Sequence, residues 1–318
     1  VKKVALIISV SPFEPREVVL KSLEWMKSLD YEGIYPRIYY VMDFENEDWK
    51  EMLEDENVEV IVRGSRKGRK AGAINHCLDH VFRTFKPDYI AFFDVDSRPS
   101  RNFLVKCIEG VESSRRAFIA STERRVMNHS SLTAEVSSLE CMIFNFFLRR
   151  SEFKNFNGLI GVLRARFLEK ERFDEGSFSE DLEFSVRMHA KGYESIFVEG
   201  AFMEEQPVFA WKDLYVQRKR WYYGAFQLVR KRFLWKNNFF LSKILPLILL
   251  ANFLIFLIPL AIFSFIPLII LFRNVKKSRI AVGLVLYLMV NQLASLSALY
   301  RFLRGREVEW VGVRRAKL

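Results

Sequence analysis

The sequence predicts an α/β protein built on a doubly wound, mainly parallel sheet and followed by an apolar helical segment. Three observations predict it. Short apolar runs of strand length alternate with amphipathic helical stretches over the first hundred residues. Several of these runs stop on charged or glycine-containing loops, the arrangement that gathers ligand-binding side chains at one edge of an open sheet. The hydrophobic excess, 50% of 318 residues with 30 Phe, is concentrated after Phe239.

Val4–Val10 reads as a buried first strand, running into a Ser11–Pro15 loop, rather than as a secretory signal. Glu17–Leu29 has helical spacing through Val18, Val19, Ser22, Leu23 and Met26. Pro36–Met42 is the second strand and ends on Asp43; Glu47–Leu53 is a short helix, and Val58–Val62 the third strand. The basic loop Arg63–Lys70 feeds a helix over Ala71–Phe82, and Tyr89–Phe93 is the fourth strand. Further on, Arg101–Ile108 and Ala134–Leu148 are predicted helices and Ala117–Thr122 a strand. Phe156–Arg164 alternates glycine with apolar residues like a strand pressed against a ligand or another backbone. Ser179 is placed to cap a helix that runs to Lys191 with Gly192 beyond its end, Ser195–Val198 reads as a strand, and Trp211–Phe233 as a long helix.

Ile244–Phe272 is almost purely apolar, with prolines at 246, 259 and 267; it reads as a kinked, tilted span or a re-entrant pair. Ile280–Leu299 has the ~20-residue length of one membrane-spanning helix. The preferred arrangement is a two-span hairpin joined by the basic loop Arg273–Arg279, with re-entrant or monotopic insertion as the alternative. Asn291 and Gln292 suit helix–helix contacts inside such a segment.

The net charge of +11 allows nucleic acid, an anionic membrane surface or anionic small substrates as partners. Its basic residues cluster on both sides of the apolar segment, between Gln217 and Lys243 and between Arg301 and Lys317, which favours a lipid bilayer. No recognised nucleic-acid motif accompanies the charge, and nucleic acid is not an expected partner. The three cysteines, Cys77, Cys107 and Cys141, lie far apart without metal or disulfide spacing, as suits a reducing cytosolic face.

Four stretches carry candidate chemistry. Asp94 and Asp96 end the fourth strand on the same side of an extended chain, and two hard oxygen ligands there suit a divalent cation carrying a diphosphate. The plainer reading is a turn, with Ser100 capping the next helix. Lys70-Ala71-Gly72-Ala73-Ile74-Asn75 opens a helix with a cation and small residues, which lets backbone N–H groups approach a phosphate; close helix packing around Gly72 is equally compatible. Glu180 and Asp181 lie in the first turn of a helix, where the dipole alone favours acids and where a carboxylate can also act as general base. Gln217 and Trp221 share a helix face with Arg220 beside them; a guanidinium can clamp a diphosphate and an indole can carry a sugar ring, whereas an interfacial helix needs the same residues for lipid.

Taken in order, Lys70–Asn75, Asp94-Val95-Asp96, Ser179-Glu180-Asp181 and Gln217-Arg218-Lys219-Arg220-Trp221 make the chain resemble family 2 glycosyltransferases of the membrane-bound type. That group includes cellulose, chitin and hyaluronan synthases and glucosylceramide synthase. The resemblance implies a GT-A-like fold and inverting transfer of a sugar from a nucleotide sugar, most readily a UDP-sugar, with Mg2+ or Mn2+ as cofactor. It implies that Asp43 and Asp94 contact the nucleoside, that Asp96 ligates the metal, and that Lys70 and Gly72 lie on the nucleotide side. Asp181, with Glu180 beside it, is then the base that deprotonates the acceptor hydroxyl; Gln217, Arg220 and Trp221 line the acceptor and diphosphate. The family often carries an acidic pair where Asp43 stands between Met42 and Phe44.

The expected product is a saccharide or glycolipid, with processive polysaccharide synthesis at the cytosolic face of the cell membrane as one form of that expectation. Single-sugar transfer to a ceramide-like or polyprenyl-phosphate acceptor is the near alternative, and a non-catalytic, membrane-anchored nucleotide-binding module the distant one. The expected domains are residues 1–200 (catalytic), 201–243 (interfacial), 244–303 (transmembrane) and 304–318 (a basic tail).

Overall fold

In the computed structural model, the described residues are 1–12, 14–43, 47–55, 57–231 and 275–309. Eight strands form one sheet: β1 (Lys2–Val10), β2 (Ile34–Met42), β3 (Val58–Val62), β4 (Tyr89–Asp94), β5 (Arg98–Pro99), β6 (Ala117–Val126), β7 (Gly161–Arg164) and β8 (Glu194–Glu205). Nine helices accompany them among the described residues: α1 (Arg16–Lys27), α2 (Glu47–Leu53), α3 (Arg69–Thr84), α4 (Phe103–Glu112), α5 (Leu132–Arg150), α6 (Ala165–Lys170), α7 (Glu180–Ala190), α8 (Trp211–Leu228) and α9 (Val275–Leu303).

The sheet order is β3-β2-β1-β4-β7-β6-β8-β5. The predicted α/β architecture is present, with β1, β2, β3 and β4 parallel. Beyond β4 the sheet becomes antiparallel, β7 pairing with β4 and β6, and β5 with β8. β7 follows α4, β6 and α5 in the chain and lies between β4 and β6 in the sheet, so the mixed half rests on antiparallel pairing between strands distant in sequence. Central strands are apolar on both faces, as a covered parallel sheet requires: Val4, Ala5, Leu6, Ile7 and Ile8 of β1 and Ile90 and Ala91 of β4 are all buried. The α1 core face is the expected one, Val18, Val19, Ser22, Leu23 and Met26.

Four predicted elements have different limits. The strand expected over Phe156–Arg164 is a 3-10 turn at Asn157–Leu159 followed by the short β7; Gly158 and Leu159 both take positive φ, 67° and 51°. The strand expected at Ser195–Val198 extends through to Glu205. The loop expected at Arg273–Arg279 is helical from Val275, because Lys and Arg are good helix formers and no Gly or Pro interrupts them. Ile244–Phe272 and the choice between hairpin and re-entrant insertion lie outside the described residues. The helix predicted to run from Trp211 to Phe233 is α8, which ends earlier, at Leu228 with Val229 as its C-cap.

The chain divides into two compact units, residues 1–125 with 145–205 and residues 126–144 with 206–317. The first carries the sheet and its main core. In the second, Val136, Val208, Leu214 and Tyr287 form a small core, and α8 lies along α9. Asn291, buried on α9, accepts from the Tyr222 hydroxyl at 3.2 Å and donates to the Tyr287 carbonyl at 2.8 Å. It joins helices, as its position in an apolar run suggests. Arg279–Leu303 is 25 residues long with mean hydropathy 1.7, which fits a membrane span by length and composition.

Candidate active site

The parallel register fixes where the candidate residues meet. Ser9 pairs with Asp94, Val10 with Met42, and Met42 with Val62. The carboxyl ends of β1, β2, β3 and β4 are therefore level, and the loops carrying Ser11, Asp43, Arg63 and Asp94 open from one edge, as the sequence predicts.

At β2 and β3, Asp43 is gripped by Arg63 in a two-pronged ion pair, Nε to Oδ1 at 2.7 Å and Nη2 to Oδ2 at 2.8 Å, with both side chains largely buried. Arg63 also donates to the carbonyls of Lys67 (2.6 Å) and Arg69 (3.3 Å), tying the loop before α3 to the end of β2. Gly72 completes that clasp. A Cβ there would lie 2.3 Å from the Lys67 carbonyl oxygen and 2.5 Å from Arg63 Nη1. The absent side chain thus makes room for the loop, which is the packing reading of this glycine. Asn75, one turn on, exchanges two hydrogen bonds with the Phe173 backbone, each 3.0 Å, and holds the segment that leads into α7.

Lys70 reaches from the first turn of α3 to Asp94 Oδ1 at 2.5 Å. Burial works against its charge, but Asp94, Glu180 and Asp181 outweigh that effect and hold the ammonium above its ordinary pKa. The ammonium thus contacts one carboxylate at the end of β4 and is held charged by two more in the first turn of α7. Asp94 also belongs to a tight turn: its N–H donates to the Ser97 hydroxyl at 3.0 Å, and its carbonyl accepts from Ser97 N–H at 2.9 Å. Asp96 is buried in this turn, and Arg98 braces it by donating to the Val95 and Ser97 carbonyls at 3.1 and 2.9 Å.

Asp181 lies in the first turn of α7, in agreement with the sequence. Ser179 is the residue before the helix, although its hydroxyl makes no capping bond. Asp181 instead accepts from two backbone N–H groups, Gly158 at 2.6 Å and Leu182 at 2.8 Å. The positive φ of Gly158 turns its N–H toward Asp181. The same glycine lies against Asp94 and Lys70, each about 3.5 Å from where a Cβ would stand. Lys70, Asp94, Gly158 and Asp181 therefore form one contiguous group. Gly158 was legible only as part of a glycine-rich strand, and its role depends on the turn that replaces that strand.

A further carboxylate stands close by. Glu205, the last residue of β8, is ion-paired with Arg124. Burial pushes its carboxyl above the ordinary range, Arg124 pulls it back, and Asp96 and Asp94 add to the rise. The acidic run Glu204-Glu205 is visible in the sequence, but nothing in it points to this neighbourhood until β8 is seen to extend to Glu205.

Gln217, Arg220 and Trp221 lie half-buried on α8 in the second unit. Between them Arg218 is buried, paired with Glu140 at 2.5 Å and stacked 4.2 Å from the Trp221 ring. It is a core cation of that unit.

Among the described residues, no group of three or more His, Cys, Asp or Glu is arranged to enclose a metal by itself. The edge fits a different kind of site, in which Mg2+ or Mn2+ is bound by one or two carboxylates and completed by substrate phosphates. Asp96, buried at this edge, would be such a carboxylate, and one buried oxygen of Glu205 has no hydrogen-bond donor. A separate pocket of about 440 Å3, with Lys86, Asp88, Arg164 and Glu169 in its lining, lies at the opposite end of β4 and shares none of these groups.

Comparison with known proteins gives a family and a fold. A family model described as glycosyl transferase family group 2 matches residues 89–291. The chain is 26% identical over 203 residues to a probable glucomannan 4-beta-mannosyltransferase 4 of Oryza sativa subsp. japonica, covering 62% of this chain and 36% of that protein. It is 25% identical over 300 residues to a glucomannan 4-beta-mannosyltransferase 1 of the same organism, covering 81% of this chain and 56% of that one. The chain thus spans between a third and just over half of the length of these curated relatives. Among solved structures, the mannosyltransferase PcManGT from Pyrobaculum calidifontis, in complex with GDP-Man and Mn2+, superposes with a TM-score of 0.63 at 15% identity. The match covers 96% of this chain and 88% of that one, and it establishes the GT-A-like fold.

Proposed function

Because the chain belongs to glycosyl transferase family group 2, we propose that it moves a hexosyl group from a nucleoside diphosphate sugar to a saccharide or glycolipid acceptor, with inversion at the anomeric carbon. The observation that carries this reading is the contiguous group of Lys70, Asp94, Gly158 and Asp181. It brings a candidate base to the strand edge where a donor diphosphate would lie. Asp181 accepts the proton of the attacking hydroxyl; each of its oxygens takes one backbone N–H and keeps a second lone pair for that purpose. Glu180 adds negative charge beside it. Asp43, Lys70, Gly72 and Asp94 serve the nucleotide side. Asp43 acts jointly with Arg63, and Gly72 acts by shaping the loop.

Asp96 is the residue that would hold Mg2+ or Mn2+, which supplies charge stabilisation for the departing diphosphate when bound. Gln217, Arg220 and Trp221 are assigned to the acceptor and diphosphate from the resemblance of their motif. Related proteins are named as mannosyltransferases, and the similar fold carries GDP-Man. This supports a mannosyl donor and a β-linked polysaccharide product ahead of the UDP-sugar expected from the sequence. The apolar α9 supports action at a membrane, and the cytosolic placement of the catalytic unit is carried over from the reading of the sequence.

The test is release of nucleoside diphosphate by the membrane-bound protein from GDP-mannose, UDP-glucose and UDP-N-acetylglucosamine, with and without Mn2+ and candidate acceptors. The expected outcome is metal-dependent release, greatest with GDP-mannose, and a labelled product longer than one sugar. A product carrying a single sugar on lipid replaces the polysaccharide reading, and absence of release from every donor removes the enzyme assignment.

A further inference from the structure

Glu205 is placed by the antiparallel pairing of β5 and β8. Arg98 faces Glu204 and Pro99 faces Met203, so the register continued by one residue sets Glu205 opposite Ser97, beside Asp96. Its partner is held as firmly. Asn145, buried on α5, accepts from the Arg124 N–H at 3.0 Å and donates to the Arg124 carbonyl at 2.7 Å. Arg124 in turn grips Glu205 Oε2. Both side chains of the ion pair are less than one-fifth exposed. A purely structural Arg–Glu pair commonly uses both carboxylate oxygens in a fork. Here the pair is single-pronged: Oε1 of Glu205 and Nε of Arg124 are both buried without a hydrogen-bond partner. A buried acceptor without a donor is costly, and this one sits next to the residue proposed to hold the metal.

We propose that Glu205 is a positioning residue for the divalent cation, its Oε1 accepting a hydrogen bond from a water in the coordination shell of the ion held by Asp96. The inference rests on the metal-dependent reading above. Mg2+ in particular keeps several of its waters when it is held by one or two carboxylates and substrate phosphates, so an acceptor beside the first carboxylate is what its outer shell requires. Contact through water also agrees with the absence, among the described residues, of a three-carboxylate group that could enclose the ion directly. The three acids Asp94, Asp96 and Glu205 share one end of the sheet, and a divalent cation there turns their mutual repulsion into attraction. The chain Asn145–Arg124–Glu205 is thus read as an outer-shell relay that fixes the orientation of the metal water.

The test measures metal affinity. Mn2+ is titrated into the full chain in detergent micelles with GDP and, in parallel, UDP, and the free-ion EPR signal is followed for the wild type, Glu205→Gln, Glu205→Asp and Asp96→Asn. Outer-shell acceptors change metal affinity by roughly 10- to 100-fold, and Glu205→Gln is expected to weaken Mn2+ binding by about tenfold while metal-free nucleotide binding is unchanged. Glu205→Asp keeps the charge but shortens the reach; it is expected to show a similar loss, and it stands in if the glutamine variant does not fold. Wild-type Mn2+ affinity in a folded Glu205 variant, with affinity lost in Asp96→Asn, overturns this inference and leaves the proposed function standing. Unchanged affinity in Asp96→Asn, or no Mn2+ binding by the wild type, removes the metal assignment and this inference together.

Discussion

Asp181 is hydrogen-bonded twice before any substrate arrives, by the N–H groups of Gly158 and Leu182. This makes Asp181→Asn a less neutral change than its shape suggests. The amide can offer only one acceptor oxygen, so one of the two N–H groups faces an NH2 group. The expected stability loss is about 1–3 kcal/mol. The loss of the general base is expected to lower kcat by roughly 10²- to 10⁴-fold. Steady-state rates paired with calorimetric nucleotide binding separate the two effects, since metal-dependent nucleotide binding is expected to survive. Transfer at the wild-type rate means that the proton goes elsewhere. The residue types at this edge, Asp43, Lys70, Asp94, Asp96 and Asp181, were legible because each sits where a strand stops or a helix starts. Their partners were not. Arg63 gripping Asp43, Lys70 bridging to Asp94 and Gly158 feeding Asp181 span 20, 24 and 23 residues of sequence, and no local periodicity encodes such pairings.

At the scale of elements, the loop before α3 behaves as part of that helix. Arg63 bonds to the Lys67 and Arg69 carbonyls, and Gly72 N–H bonds to the Gly68 carbonyl at 2.9 Å. The sequence left Gly72 open between phosphate approach and close packing; the 2.3 Å gap to the Lys67 oxygen gives the packing reason. Gly72→Ala must therefore displace backbone, which resists more than a flexible side chain would. Overpacking of this kind costs about 1–3 kcal/mol, read as a lower urea midpoint with an unchanged slope. Because Lys70 rides on the displaced loop, the nucleotide-sugar KM is expected to rise more than kcat falls. A variant with wild-type stability and KM would show that the loop yields freely. The same reasoning explains the misread strand at Phe156–Arg164. Alternating glycine and apolar residues satisfy a period of two, but the positive φ at Gly158 and Leu159 breaks the extended chain before β7 begins.

For the molecule as a whole, alternation of strand and helix made the parallel half of the sheet legible, whereas the antiparallel half depends on pairings among β4, β6, β7 and β8 that are separated by whole helices. The same distant pairings bury groups whose charge then responds to pH, and His189 on α7 shows this most directly. Its ring packs 5.6 Å from Phe118 and 4.8 Å from Phe153, and Nε2 meets the Ser195 hydroxyl at 2.9 Å. Burial pulls its pKa down from the ordinary 6.5 to about 4, with Lys154 and Glu194 the charged neighbours. Between those two values the unfolded chain binds a proton that the folded chain refuses. Stability contributed by the neutral ring is therefore complete above about pH 6.5 and is lost as pH falls toward about 4. Carboxylate ion pairs titrate over part of the same range, so the comparison must be differential. His189→Gln removes the titrating ring and leaves those pairs in place. At pH 7.5 the variant is expected to melt lower than the wild type, having lost the aromatic contacts. By pH 4.5 the gap is expected to narrow by roughly a few °C, because only the wild type carries the protonation penalty. A gap that stays constant across that range would mean that His189 accepts its proton in the folded state as readily as in the unfolded one.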